Sequence, residues 1–162
     1  MFEAKAIAAD DKASFYEELA QQLQGLLSGE RDAIANAANT AALIFTNLAD
    51  LNWAGFYFLR GKELVLGPFQ GRPACVRIPL GQGVCGTAAA RRETLVVPDV
   101  HAFPGHIACD PASRSEIVVP LVHEGEVLGV LDIDSPEPGR FTDSDRVAYE
   151  AVAAAWVRAC RG

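Results

Sequence analysis

Three of the four cysteines, Cys75, Cys85 and Cys109, lie in a stretch otherwise built of glycines, loop residues and a few charges. Cys85 has a glycine close on each side in GQGVCGT, and Cys109 lies in HIACD, just before a proline. A structural cysteine usually lies in an apolar run, whereas a reactive one needs partial exposure and neighbours that favour the thiolate. Several thiols in one loop region therefore indicate metal or redox chemistry. The fourth cysteine, Cys160, lies on an alanine-rich helix and is expected to be a bystander.

The spacing of the cysteines argues against a structural metal site. Nine residues separate Cys75 from Cys85 and 23 separate Cys85 from Cys109, so the chain lacks the Cys-x2-Cys pair that is common in zinc sites. We therefore expect no metal and no other cofactor. Redox chemistry remains. For Cys85 the competing interpretation is an inert core residue, because free cysteine is often buried.

Three acidic residues form a second group. Glu116 opens a predicted strand, and Asp132 and Asp134 lie two apart at the end of the next one. Residues two apart on a strand point to the same face, so the two aspartates share a side. Adjacent carboxylates repel each other unless a cation, a metal or a shared proton compensates them, and the pKa of one should rise. Such a carboxyl could donate a proton near neutral pH. For Asp134 a solvated strand end is the competing interpretation.

Two aromatic residues of one predicted strand complete the set of candidates. Trp53 and Tyr57 lie four apart in NWAGFYF, hence on one face, and could wall a small apolar cage. Core packing is the usual role of aromatic residues in strands. For Tyr57, core packing and a place in the cage are equally good interpretations.

Hydrophobic periodicity predicts helices at both chain ends and a sheet between them, an α+β organisation. Two helices occupy about residues 11–48, a C-terminal helix occupies about 142–160, and residues 51–135 hold the strands and the loops that carry the candidates. The predicted strands are 52–59, 63–67, 76–79, 95–97, 116–122 and 127–134, with a short helix at 83–91. The apolar faces are assigned to Ile34, Ala38, Ala41, Leu43 and Phe45 in the second helix and to Val147, Ala151, Ala154 and Trp156 in the last. The irregular loop at 100–115 is long, and such loops are usually functional.

Composition restricts the setting. A chain of 162 residues fits one domain, and its net charge of −7 without a basic face makes nucleic acid an unsuitable partner. No apolar run approaches the ~20 residues needed to span a bilayer, and the acidic N-terminal segment is unlike a signal peptide. We therefore expect no membrane association and a cytoplasmic location, where paired cysteines tend to be transient and catalytic.

Five segments, in this order and spacing, resemble the GAF-domain free methionine-(R)-sulfoxide reductases: NWAGFYF, GQGVCGTAA, DVHAFPGHIACD, SEIVVPL and GVLDIDSP. The resemblance runs from about Asn52 to Asp145. It implies a single GAF domain over residues 1–162, with a six-stranded antiparallel sheet flanked by N- and C-terminal helices. It further implies reduction of free methionine-(R)-sulfoxide with thioredoxin as the reductant, and a homodimer is compatible with it. A sensory GAF module that binds a small ligand without turnover is the alternative, because fold alone does not assign function. A sensor is normally fused to an output domain, which favours the reductase.

The resemblance also assigns roles to the candidates. Cys109 corresponds to the attacking cysteine, and Cys75 and Cys85 to the thiols that resolve the intermediate, with Cys75 favoured as the first. Attack of a thiolate on the sulfoxide sulfur leaves a cysteine sulfenic acid, which a second thiol converts into a disulfide that an external reductant opens. Trp53 corresponds to a pocket aromatic, and with Tyr57 would enclose the S-methyl group. From their chemistry rather than from the resemblance, the acids Glu116, Asp132 and Asp134 would protonate the departing oxygen and hold the α-ammonium, which a methionine inside a polypeptide lacks.

Overall fold

The computed structural model describes residues 1–107 and 109–162, and in these ranges it contains four α-helices and a six-stranded sheet. The helices are α1 (Lys12–Leu27), α2 (Ala33–Asn47), α3 (Gly83–Arg91) and α4 (Asp143–Arg161). The strands are β1 (Trp53–Arg60), β2 (Glu63–Gly71), β3 (Arg77–Pro79), β4 (Leu95–Val97), β5 (Ser115–His123) and β6 (Glu126–Ser135). One turn of 3-10 helix, Val100–Ala102, opens the long loop before β5. The predicted α+β organisation is confirmed.

The helix starts follow from side-chain caps. The Asp11 carboxylate accepts a hydrogen bond from the Ser14 backbone N–H at 2.8 Å and so opens α1. Asp32 opens α2 through the Ala35 N–H, also at 2.8 Å. At α4, Thr142 and Asp145 form a reciprocal capping box. Each cap satisfies a backbone donor that the first helical turn leaves without a partner.

All neighbouring strands of the sheet run antiparallel, in the order β3-β2-β1-β6-β5-β4. The β5–β6 hairpin turns through Glu124 and Gly125, both at positive φ (49° and 80°), which matches the twist of two antiparallel strands. This order places β1 and β6 at the centre of the sheet. The acids of β6 and the aromatic residues of β1 therefore lie on adjacent strands.

The two faces of the sheet have different coverings. Ala54, Phe56 and Phe58 point towards α1, α2 and α4, where the Trp156 ring lies 5.5 Å from Phe56 and 5.7 Å from Phe58 between centroids. The opposite face carries Trp53 and Tyr57 and packs against α3. The first face is the main core, and the second holds the candidate site.

The helix faces assigned from periodicity are partly wrong. In α2, Ile34 is 54% exposed and Ala38 is exposed, whereas Ala37, Ala41 and Ile44 are buried. In α4, the exposed residues include Val147, Ala151 and Ala154, and the buried ones are Asp145, Tyr149, Val152, Ala153, Trp156 and Val157. Small alanines dominate both helices, so hydropathy alone does not identify the face that packs. Within the described ranges, no helix has both the length and the apolar character needed to cross a bilayer.

Candidate active site

The three acids meet because of strand register. Glu116 on β5 lies opposite Asp134 on β6, and across the other side of β6 Asp134 lies opposite Trp53 and Asp132 lies opposite Gly55. Glu116 and Asp132 are buried, at 7% and 5% exposure, and Asp134 is half-buried. The carboxyl groups thus converge on the sheet face away from the main core.

Burial disfavours the ionised form of all three acids, and repulsion from neighbouring carboxylates adds to this effect at Glu116 and Asp134. Burial, followed by the neighbouring Asp132 and Asp134 charges, raises the pKa of Glu116 well above its usual range. Burial, and then Asp132, raises the pKa of Asp134 in the same way. Burial also raises the pKa of Asp132, although hydrogen bonds with Glu116 and Cys85 offset part of the effect. The acids of the cluster therefore keep their protons to a higher pH than free carboxyl groups do, in the direction that the spacing of the aspartates predicts.

Helix α3 positions Cys85 above the acids. Gly83 begins the helix at φ +64°, and a Cβ on Gly86 would lie 2.4 Å from the Pro79 carbonyl oxygen, so this close approach needs glycine. The turn brings the Cys85 thiol to 4.0 Å from Glu116 Oε2, where it donates a hydrogen bond. Cys85 is 4% exposed, and burial, followed by the Asp132 and Glu116 charges, raises the pKa of its thiol well above the usual range. Its environment disfavours the thiolate.

A disulfide joins Cys75, in the segment after β2, to Cys109, in the long loop before β5. The two Cα atoms lie 5.4 Å apart, and both residues are half-buried. Among the described residues this bond leaves Cys85 and Cys160 as free thiols. The pairing links the two cysteines that the sequence interpretation assigned as nucleophile and first resolver.

The aromatic residues line the cavity and also hold the segment of Cys75. The Trp53 ring stacks between Tyr57 and Phe69, at centroid distances of 5.8 and 5.2 Å. The Tyr57 hydroxyl donates to the Cys75 carbonyl at 2.8 Å, and Trp53 Nε1 donates to the Arg72 carbonyl at 3.1 Å. Both rings are therefore fixed in orientation as well as buried.

Sequence reasoning missed the residues that hold the Cys109 segment. The Asn52 amide nitrogen donates to Asp110 Oδ2 at 3.0 Å and to Ser113 Oγ at 2.9 Å. Asp110 and Ser113 are buried and line the same cavity as Cys109. His106 lines it as well, and burial, then His101, lowers the pKa of its imidazole. The Asp-Pro pair after Cys109 indicates a turn in the sequence. No local pattern indicates that Asp110 pairs with Asn52, 58 residues earlier in the chain.

These parts enclose one cavity of about 40 Å³. Seven of the eight predicted site residues line it, namely Trp53, Tyr57, Cys85, Cys109, Glu116, Asp132 and Asp134. The eighth, Cys75, reaches it through its bond to Cys109. A buried carboxylate cluster, a free thiol and a disulfide thus share one small space.

Fold and site together define a GAF domain with a disulfide-linked cysteine pair beside a buried acid cluster, and a family model described as GAF domain matches residues 11–157. The free methionine-R-sulfoxide reductase of Escherichia coli (strain K12) is 57% identical, over 83% of this chain and 82% of that protein. Its counterpart in Saccharomyces cerevisiae is 44% identical over 93% and 88% of the two chains. An X-ray structure of the Neisseria meningitidis free methionine-R-sulfoxide reductase, in complex with its substrate, superposes with a TM-score of 0.94 at 44% identity, covering 99% of this chain and 96% of that one. The chain belongs to the free methionine-R-sulfoxide reductase family of GAF-domain proteins, which are thiol-dependent oxidoreductases.

Proposed function

We propose that this enzyme reduces free methionine-(R)-sulfoxide to methionine through a cysteine sulfenic acid and an intramolecular disulfide. The observation that carries the proposal is the Cys75–Cys109 disulfide at the edge of a cavity that holds three buried carboxyl groups. Two relatives named for this activity, at 57% and 44% identity, support the choice of substrate.

Cys109 is the proposed nucleophile because it lines the cavity and Cys75 does not. Its thiolate attacks the sulfoxide sulfur while the oxygen takes up a proton. Methionine leaves, and Cys109 carries the oxygen as a sulfenic acid. The Cys75 thiol then attacks Cys109 Sγ, which releases water and forms the disulfide. One sulfoxide is reduced for every two thiols oxidised.

The acids divide two tasks between them. A carboxyl that keeps its proton near neutral pH, as burial favours for Glu116 and Asp134, can protonate the departing oxygen. The remaining negative charge receives the α-ammonium of the substrate, so that the cation offsets the repulsion between the acids. Trp53 and Tyr57 enclose the S-methyl group from the side of β1. An acid left without its cation is costly, which accounts for a preference for the free amino acid.

The disulfide form represents the end of the catalytic cycle. A cavity of about 40 Å³ holds only a few water molecules. An external dithiol must open the disulfide to regenerate the Cys109 thiol before the next turnover. Thioredoxin is the proposed reductant. The one-domain organisation over residues 1–162, the cytoplasmic location and the homodimer stay predictions.

A comparison of three substrates tests the function and the role of the acids together. We expect the protein, with thioredoxin and its reductase, to form methionine from free methionine-(R)-sulfoxide about 30- to 150-fold faster than from the N-acetylated or peptide-bound forms, because a buried charge left unpaired costs ~2–3 kcal/mol. The (S)-sulfoxide is the matched control for the reacting centre. Equal rates on the three (R)-forms would exclude the ammonium role, and no methionine from any of them would favour a sensory module.

A further inference from the structure

Three potential metal ligands come together from three separate elements beneath the cavity. Cys85 on α3, Glu116 on β5 and Asp132 on β6 each place one ligand atom within 4.8 Å of the other two. Cys85 Sγ lies 4.0 Å from Glu116 Oε2. All three residues are buried. Because they are far apart in the sequence, a search for closely spaced ligand pairs cannot find this group.

A second observation points to a missing ligand at the same place. Asp132 Oδ1 is buried and has no hydrogen-bond partner among the described residues. A buried carboxylate oxygen without a partner is costly, by about 1–3 kcal/mol. The same residue, Asp132, has a ligand atom within 4.8 Å of Cys85 Sγ and of a Glu116 carboxylate oxygen. A bound cation would satisfy it directly.

The donor set selects the kind of cation. Tetrahedral zinc forms bonds of about 2.3 Å to sulfur and about 2.0–2.2 Å to oxygen, which places its ligand atoms about 3.5 Å apart. The ligand atoms of Cys85, Glu116 and Asp132 lie within 4.8 Å of one another, so each needs to move inward by about 1 Å to bind the ion. Magnesium and calcium prefer all-oxygen sites, whereas a thiolate favours zinc and similar soft ions. The cavity above the three residues leaves a fourth position for water.

We propose that Cys85, Glu116 and Asp132 bind a thiophilic divalent cation such as Zn²⁺, which competes with the substrate for the carboxyl groups. The ion is a competing ligand and not a cofactor of the reduction. Competition rests on the proposed function, because it requires that the same acids hold the ammonium group. Binding of the ion does not depend on that function.

Cobalt substitution tests the site in the disulfide form, where the thiols of Cys75 and Cys109 are unavailable. Co²⁺ should produce a near-ultraviolet sulfur-to-cobalt charge-transfer band, which added Zn²⁺ abolishes and Mg²⁺ leaves intact. The band should be lost in Cys85→Ser and retained in the matched control Cys160→Ser. Asp132→Asn should weaken cobalt binding by at least about tenfold. A band that survives in Cys85→Ser, or its absence from the wild type, would overturn the site.

Competition is measured in single turnovers of pre-reduced, desalted protein. Zn²⁺ should slow methionine formation, excess substrate should restore it, and the half-inhibitory Zn²⁺ concentration should rise at least about tenfold in Cys85→Ser. Equal inhibition of both proteins would place the inhibitory metal on Cys75 and Cys109 and overturn the competition. If the metal-free wild type forms no methionine, the proposed function fails, while the cobalt band still decides the metal site.

Discussion

At the scale of single residues, the three thiols near the acids differ in what their surroundings allow. Cys85 is buried among carboxyl groups that raise the pKa of its thiol, and only the thiolate is a good nucleophile. Cys75 and Cys109 are half-buried and already joined. This contrast supports Cys75 and Cys109 as the pair that performs the disulfide cycle, and we propose that Cys85 belongs to the carboxyl cluster instead.

The first prediction concerns the nucleophile. Cys109→Ser should form no methionine above background even in a single turnover, because serine lacks the soft thiolate that attacks sulfur. Quenched-flow or chromatographic detection of methionine with stoichiometric protein measures this. Cys160→Ser, which changes a thiol on α4 outside the cavity, is the matched control and should behave as the wild type. Ample single-turnover product from Cys109→Ser would refute the assignment.

The second prediction concerns resolution. Cys75→Ser should release about one equivalent of methionine per protein, because attack precedes resolution, and then turn over poorly with thioredoxin. Trapping with a sulfenic-acid reagent followed by mass analysis should label Cys109 in this variant. If Cys75→Ser cycles normally and Cys85→Ser does not, Cys85 is the resolving thiol after all.

At the scale of elements, the Cys109 segment depends on a residue at the start of β1. Asn52 joins its backbone to β6 through the Asp134 carbonyl at 3.0 Å and its side chain to Asp110 and Ser113. The residue therefore connects the acid strand to the loop that carries the nucleophile. Reduction of the disulfide removes one restraint on this loop, whereas the hydrogen bonds of the Asn52 amide to Asp110 and Ser113 do not depend on the disulfide.

The third prediction tests this link. Asn52→Ala should lower kcat/KM by about tenfold, about 1.4 kcal/mol of transition-state stabilisation, with the larger part in kcat because the acids and aromatic residues stay in place. Hydrogen exchange of the reduced protein should increase in the loop before β5 and not in α1 or α2. Asn39→Ala, at an exposed position of α2, is the control. An unchanged kcat with a raised KM would mean that Asn52 serves substrate binding instead.

The elements also show what sequence reasoning can and cannot reach. Strand alternation placed Trp53 with Tyr57 and Asp132 with Asp134 correctly, since side-chain direction on a strand depends only on local period. The bounds of α3, Gly83–Arg91, were predicted correctly, and a glycine marks the start of the helix. The meeting of Asn52 with Asp110, and the burial of Cys85 against Glu116, depend on strand order and on which helix covers which face. No local pattern encodes these long-range contacts.

At the scale of the whole molecule, the site adds an electrostatic cost to folding. Three acids lie close together on the sheet face that packs against α3, and burial is the first cause of the raised pKa of each. Another buried acid, Asp145, has partners that compensate its negative charge. It is fully buried and accepts hydrogen bonds from Lys12, Tyr16 and Arg140. Burial opposes ionisation of Asp145, yet the bonds from Lys12 and Tyr16 lower its pKa to about 2. The carboxyl cluster lacks a comparable cation among the described residues that line the cavity.

The last prediction follows from this difference and separates stability from function. In the unfolded chain Glu116 ionises near pH 4.5, whereas in the folded protein its pKa is well above that value. The native state therefore binds more protons in the interval between, and the free energy of unfolding falls as pH rises through it. Glu116→Gln removes this loss, so at pH 8 its melting midpoint should exceed that of the wild type by about 2–4 °C, for about 1 kcal/mol, with little gain at pH 4.5. Calorimetry at both pH values measures this, with the exposed Glu17→Gln of α1 as control.

The Glu116→Gln variant should also reduce free methionine-(R)-sulfoxide poorly, because the neutral amide can neither hold the ammonium nor donate the acid proton. A variant that is less stable at pH 8 would show that a hydrogen bond of Glu116, and not its charge, dominates the folded state.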